Sequence, residues 1–197
     1  MNPLSSDEQD ASDMSRLAGG HDAALNDLME RHAEKLFHYL LRSLQNEEDA
    51  ADLAQETFVK IYQNRSKFDP SQKFTTWLYA IACNLVRDRF RWRSRHQQVS
   101  LDAEGGLTES NLKANLTASE PLPDQSLQTQ ERADSVRQAV GSLPDELRQP
   151  LILAVYQDLP QAEIAAILNC SVKAVETRIY RARQQLRAAL AGLMPAD

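Results

Sequence analysis

The sequence predicts an all-α protein made of two small helical domains joined by a flexible linker. Three observations carry that prediction. Apolar residues recur at three- and four-residue steps in two blocks, one over about residues 22–93 and one from about Leu127 onward. No stretch alternates apolar and polar residues as a half-buried strand would. Between Trp92 and Tyr156 there is no Phe, Tyr or Trp, so the polar segment that separates the two blocks lacks the side chains from which a core is made.

Taken in order, residues 1–20, "MNPLSSDEQDASDMSRLAGG", are acidic and polar and read as a disordered tail. They have no basic start followed by an apolar core, so they are not a secretory signal. No apolar run reaches the ~18 residues a membrane span needs, which predicts a cytoplasmic protein without membrane insertion. A first helix follows over about residues 22–44, with Leu25, Leu28, Met29, His32, Leu36, Leu40 and Leu44 on one stripe. Asn46 is a good N-cap for a second helix, because its side chain can accept a free amide of the first turn. Glu47, Glu48 and Asp49 then sit in that helix's positive first turn, and Ala50, Leu53, Ala54, Thr57, Phe58 and Ile61 form its apolar stripe. "NRSKFDPSQKF" is a loop broken at Asp69-Pro70. A third helix starts at Thr75 or Thr76 and runs to about Arg93, with Trp77, Leu78, Ile81, Ala82 and Leu85 inward.

Residues 97–126 are rich in Ser, Thr, Asn, Gly, Pro and acids and read as the linker. Helical pattern resumes through Val136, Ala139, Val140 and Leu143. Pro144 then opens "DELRQPLILAVYQD", inside which Pro150 removes a backbone donor. The last part, "PQAEIAAILNCSVKAVETRIYRARQQLRAAL", divides into a short helix at about 161–168, a tight turn, and a longer helix from Val172 to about Leu190. Asn169 tolerates the left-handed conformation at the first helix's end, and Ser171 is the N-cap of the second. Val172, Val175, Ile179, Ala182 and Leu186 form the expected buried stripe, leaving Lys173, Thr177, Tyr180, Arg181 and Gln184 outward. This is a helix-turn-helix, a moderately specific pattern made stronger by its cationic outer face.

The net charge of -6 hides two basic islands. One runs from Lys60 to Arg95 and the other from Lys173 to Arg187, in a chain whose first 59 residues are strongly acidic. Paired basic islands suggest two polyanion contacts, with acidic surface left for another partner. Cys83 and Cys170 form no C-x-x-C pair and read as reduced, packed thiols; His21, His32, His38 and His96 lack ligand spacing and read as surface or partly buried residues. No cofactor and no metal are expected.

With these pieces placed, "SLPDELRQPLILAVYQDLPQAEIAAILNCSVKAVETRIYRARQQLRAAL" resembles region 4 of the extracytoplasmic-function group of bacterial sigma factors, within the sigma-70 family. The matching pieces are Leu143-Pro144, Glu163-Ile164-Ala165 and the run Thr177 to Arg183. "EEDAADLAQETFVKIY" resembles region 2.2 independently, and "FTTWLYAIACNLVRDRFR" resembles regions 2.3 and 2.4. The resemblance implies a region 2 domain over 21–96 and a region 4 domain over 127–193. It implies a transcription initiation factor with no catalytic chemistry, whose partners are core RNA polymerase (its β′ and β subunits), promoter DNA and an anti-sigma factor.

Residue by residue, the resemblance places Asp49, Asp52, Gln55 and Glu56 on polymerase. It places Lys73, Trp77, Asn84, Arg87 and Arg91 on the −10 element, with the loop Asn64–Lys73 as a pocket for a flipped base. Ser171, Lys173, Glu176, Thr177, Arg178 and Arg181 fall on the −35 element. Asp88 takes the position of a structural Asp that pairs an Arg within the bundle. Glu176 and Lys173 depart from many relatives, so base preference does not transfer. A helix-turn-helix regulator acting without polymerase and a helical enzyme are the competing readings. The region 2 match from Asp49 to Arg91 speaks against the first, and the absence of a clustered titratable pocket against the second.

Overall fold

A computed structural model of the chain describes residues 5–103 and 125–191, with side chains described over 5–96 and 130–191. The described residues are helical, without a strand, as the periodicity implies. The first half is a bundle of α1 (Ser6–Ala18), α2 (Ala23–Leu44), α3 (Glu47–Gln63), a 3-10 turn (Arg65–Lys67) and α4 (Phe74–Ala103). The second is α5 (Gln125–Ser142), α6 (Asp145–Tyr156), α7 (Gln161–Ile167) and α8 (Val172–Ala189).

Helix α1 corrects the reading of residues 1–20 as a disordered tail. Ser5 and Glu8 form a reciprocal capping box, in which the Ser5 amide donates to Glu8 Oε2 at 2.8 Å and the Glu8 amide donates to Ser5 Oγ at 3.4 Å. Met14 and Leu17 are buried, and two acids are spent on α2 rather than on solvent. Arg31 donates to Asp10 at 2.9 Å and to Asp13 at 2.6 Å, while His32 Nε2 lies 2.8 Å from Asp10 Oδ2. Asp10 is 1% exposed and His32 6%, so this is a buried ion cluster in which each charge has a partner. His32, read as a surface or partly buried residue on the apolar stripe of the first helix, is buried.

Local signals set the other element ends. Gln45 ends α2 in the left-handed region (φ 54), and the Asn46 side chain then accepts the Asp49 amide at 2.8 Å to start α3. Helix α4 begins at Phe74 and reaches Ala103, ten residues beyond the expected Arg93. The segment assigned as linker is therefore helical in backbone over 97–103 and from Gln125; the remainder, 104–124, lies outside the described residues. At the other end of the chain, Asn169 takes φ 50 between α7 and α8, and the Ala174 amide donates to Ser171 Oγ at 3.2 Å. Val175, Ile179 and Ala182 are buried as expected. Val172 is 45% exposed, because a residue at N1 precedes the turn at which α8 meets its neighbours.

The two helical halves are closed on one another. Seven successive residues of α6, Leu147 to Leu153, are buried, whereas a surface helix buries one stripe. Helix α6 lies between α8 on one side and α2 on the other, and a single apolar cluster runs from Met14 and Leu17 through Tyr39 and Leu78 to Ile152 and Ile179. Polar contacts span the same boundary. Tyr79 Oη donates to Gln157 Oε1 at 2.6 Å, the Arg42 guanidinium lies 4.3 Å over the Tyr156 ring, and that of Arg148 lies 4.7 Å over Phe90. Where α5 approaches the end of α2, a Cβ on Gly141 would lie 3.1 Å from Gln45 Cγ, so the two helices pass closely at that position.

Candidate polymerase and nucleic-acid interfaces

Three surfaces carry the residues singled out by sequence. The first is the outer face of α3. Asp52, Gln55 and Glu56 are exposed along it, and Glu56 pairs with Lys60 at 3.4 Å. Asp49 is different. Its side chain is 13% exposed and receives Arg89 and Arg93 from α4, so it ties two helices together. Asp88, placed by the resemblance in a structural pair, instead meets Arg91 of its own helix at 3.7 Å, with both side chains more than 60% exposed. The bundle-stapling carboxylate is Asp49.

The second surface is the start and outer face of α4. Phe68 leaves the 3-10 turn and sets its ring 5.3 Å from Trp77 and 6.3 Å from Phe74, which in turn lies 5.2 Å from the His32 ring. Trp77 is thus half-buried, one side of its ring against the core and the loop. In that loop Asp69 accepts the Ser71 amide at 2.9 Å, which holds its carboxyl below the usual carboxylate range. Asn84 is exposed and accepts from Arg87, whose Nε also reaches Cys83 O at 3.4 Å; Arg91 is exposed. Lys73 is not free. It donates to Glu163 of α7 at 2.7 Å and lies 3.5 Å from Asp7 of α1, and the Glu163 hydrogen bond raises its pKa.

The third surface is the N-terminal half of α8. Ser171, Lys173, Glu176, Thr177 and Arg181 are exposed there, and Arg178 is half-buried against Cys170 Sγ at 3.6 Å. Ser171, Lys173, Thr177, Arg178 and Arg181, together with Glu146, Leu147 and Ala174, line an open concavity of about 450 Å³. Lys173 donates to Glu176 at 3.0 Å, and Thr177 Oγ1 bonds back to the Lys173 carbonyl at 2.9 Å. Both cysteines are free. Cys83 is buried with Tyr39 Oη 3.0 Å from its sulfur, and burial pushes its thiol up to about 12.

Sequence reasoning missed Glu163 as a partner of Lys73, Gln157 as a partner of Tyr79, and the whole of α1. The first two rest on tertiary closure. The last had a local signal, the Ser5-x-x-Glu8 capping box ahead of Met14 and Leu17, which the acid count concealed.

Comparison with known proteins meets this geometry from outside. The models "Sigma-70 region 2" and "Sigma-70, region 4" match residues 28–96 and 133–186. The chain is 36% identical to the ECF RNA polymerase sigma factor SigW of Bacillus subtilis, over 88% of this chain and 92% of that protein. It is 34% identical to the RNA polymerase sigma factor CnrH of Cupriavidus metallidurans, over 96% and 97% of the two chains. The solved structure of CnrH in complex with the cytosolic domain of CnrY superimposes with a TM-score of 0.68 at 27% identity, covering 94% of this chain and 99% of that one. Two helical halves in this order, one ending in a capped recognition helix with a cationic outer face, make this chain a member of the sigma-70 family: an extracytoplasmic-function RNA polymerase sigma factor, a transcription initiation factor that directs core polymerase to promoters.

Proposed function

We propose that the three surfaces divide the work of initiation. Asp52, Gln55 and Glu56 dock on a basic surface of the polymerase β′ subunit, with Asp49 holding α3 against α4 rather than meeting polymerase directly. Trp77 and Asn84 receive bases of the melted −10 element, and Lys73, Arg87 and Arg91 run beside its phosphates. The exposed end of α8 enters the major groove of the −35 element, where Arg178 and Arg181 hold phosphates and Glu176 accepts from a cytosine amino group. The Lys173–Glu176 pair is an exposed i,i+3 contact worth only a few tenths of a kcal/mol, so DNA can displace it. Region 2 spans 21–96 and region 4 spans 127–193 in this division, with α1 as an added helix of the first.

The observation that carries this reading is the Lys73–Glu163 contact, which ties a −10 residue to the helix that precedes the recognition helix. Two promoter elements lie apart along a duplex, so both surfaces reach DNA only if the halves separate on core polymerase. The factor itself performs no bond chemistry, works in the cytoplasm where polymerase and DNA are, and is held in check by an anti-sigma factor. CnrH, solved with the cytosolic domain of CnrY, supports that last partner.

Single alanines at Asp52, Arg91 and Arg181 test the division. Competition for core polymerase, permanganate footprinting of melted DNA and −35 duplex affinity should each show a defect for its own variant alone. Loss of all three functions in every variant would contradict it.

A further inference from the structure

At the C-terminal end of α2, where the two halves meet, the structure holds a groove of about 710 Å³. Its apolar lining comes from both halves: Leu41 from α2, Ala133, Val136 and Val140 from α5, and Tyr156 from the end of α6. Val136 is 38% exposed and Tyr156 43%, so two large side chains stand open in a concave site. A cleft of this size between domains, apolar with a few charged groups, has the form of a small-molecule site.

The charges select the kind of molecule. Arg42, Arg132 and Arg137 line the groove, and no acid neutralises them across it. Arg42 donates to the His38 carbonyl at 3.0 Å and covers the Tyr156 ring. Arg137 pairs only with Asp134, one turn back on α5 and exposed. Arg132 is exposed and makes no hydrogen bond or ion pair among the described residues. Glu47 and Glu48, at the start of α3, also line the groove, yet neither pairs with any of the three arginines. A guanidinium without an acid matches a carboxylate, which it can hold by two parallel hydrogen bonds. The two glutamates repel further negative charge, which disfavours nucleic acid and polyphosphates. One carboxylate on an apolar body satisfies both conditions, and the Leu, Val and Ala lining suits an aliphatic chain.

We propose that this groove binds an amphipathic monocarboxylate of the fatty-acid class, with its chain along Leu41, Val136 and Tyr156 and its head at the arginines of α5. Because the lining belongs to both halves, a bound molecule favours the closed protein over the opened one. It therefore opposes assembly with core polymerase, a consequence that rests on the reading that the halves separate there.

The test begins with calorimetry of the full chain against dodecanoate, dodecanol and dodecylammonium, each below its micelle threshold. Dodecanoate should bind saturably, one per chain, and more tightly than the alcohol or the cation. Arg132→Glu should weaken dodecanoate binding about 10-fold, and Val136→Trp, which fills the groove, should abolish it. Both positions are exposed, so thermal melts of the two variants should match wild type. With dodecanoate at ten times its Kd, apparent affinity for core polymerase should fall about 10-fold for wild type and stay unchanged for Val136→Trp.

Equal binding of all three amphiphiles overturns the proposal, as does dodecanoate binding that neither variant weakens. So does the absence of saturable binding; a dimer in sedimentation that Val136→Trp dissolves would then assign the groove to a second copy. Dodecanoate bound in the groove without any effect on core competition overturns the effector role. Energy transfer between dyes on the two halves locates that failure. If transfer falls when core polymerase is added without dodecanoate, the halves do separate and the effector role alone is wrong. If transfer stays at its closed value, the separation reading fails, and the effector role falls with it.

Discussion

Lys73 Nζ lies 2.7 Å from Glu163 Oε1, ninety residues away in sequence. One partner sits where α4 begins and the other on the helix before the recognition helix, so the contact reports closure of the two halves. The pair is partly exposed and contributes on the order of 0.2–1 kcal/mol. Glu163→Lys replaces attraction with repulsion and should raise the open population of the free protein by a few-fold. Energy transfer between dyes on the two halves measures it. The charge swap with Lys73→Glu should restore the closed distance; a swap that leaves the halves as open as the single variant would contradict the assignment.

Asp49 and Asp52 stand one turn apart on α3 and should behave differently. Asp49→Ala strands Arg89 and Arg93 at a part-buried boundary and should cost about 1–3 kcal/mol of stability, discounted for the exposure of both guanidiniums. Asp52→Ala should leave the melting temperature within a degree or two and weaken core polymerase binding. Thermal melts alongside competition for core separate the two. Equal stability loss at both positions would remove the distinction.

The legible parts of the fold were those with local causes. Asn46, Asn169 and Ser171 were identified correctly because a cap or a left-handed residue is a property of three or four neighbours. The cationic face of α8 was legible for the same reason: helical spacing alone puts Lys173, Thr177 and Arg181 together. Asp49 was not, since nothing in α3 reveals two arginines forty and more residues away. Nor was the burial of α6 on every side, because a strongly apolar segment such as Leu151 to Leu153 fits one covered face as well as two. Helix α1 was missed because charged residues at Asp10 and Asp13 read as solvated, and only tertiary pairing with Arg31 and His32 explains them.

That pairing makes α1 integral to the first bundle. Asp10→Ala would leave Arg31 and His32 facing a buried site without their carboxylate, at a cost of about 2–4 kcal/mol. Ser5→Ala removes only the exposed cap and should cost about 0.5–2 kcal/mol. Denaturant melts of the full chain give both values. A stability for Asp10→Ala equal to wild type would mean α1 is only loosely held.

The two thiols should differ sharply in reactivity. Burial pushes the Cys83 thiol up to about 12, so at pH 8 it is protonated as well as inaccessible, while Cys170 is part-exposed. One thiol per chain should react with an alkylating reagent in the native protein, and two after denaturation. The sign for stability follows. With the folded pKa raised above that of a free thiol, the neutral Cys83 supports folding fully below about pH 8.5, and that contribution is lost as pH rises from there toward 12. Rapid native labelling of Cys83, identified by peptide mass, would contradict the buried placement.

The most direct test of the central claim compares the purified chain with and without core RNA polymerase on the same promoter. Closure ties Lys73 to Glu163, and the strongly acidic residues before position 60 repel DNA phosphates. The free protein should therefore bind promoter duplex weakly and with little sequence preference. Added to core polymerase, it should give a run-off transcript from that promoter and none from a scrambled template. Tight, specific duplex binding by the free chain, with no transcript when core is added, would contradict the account and make the protein a regulator that reads DNA alone.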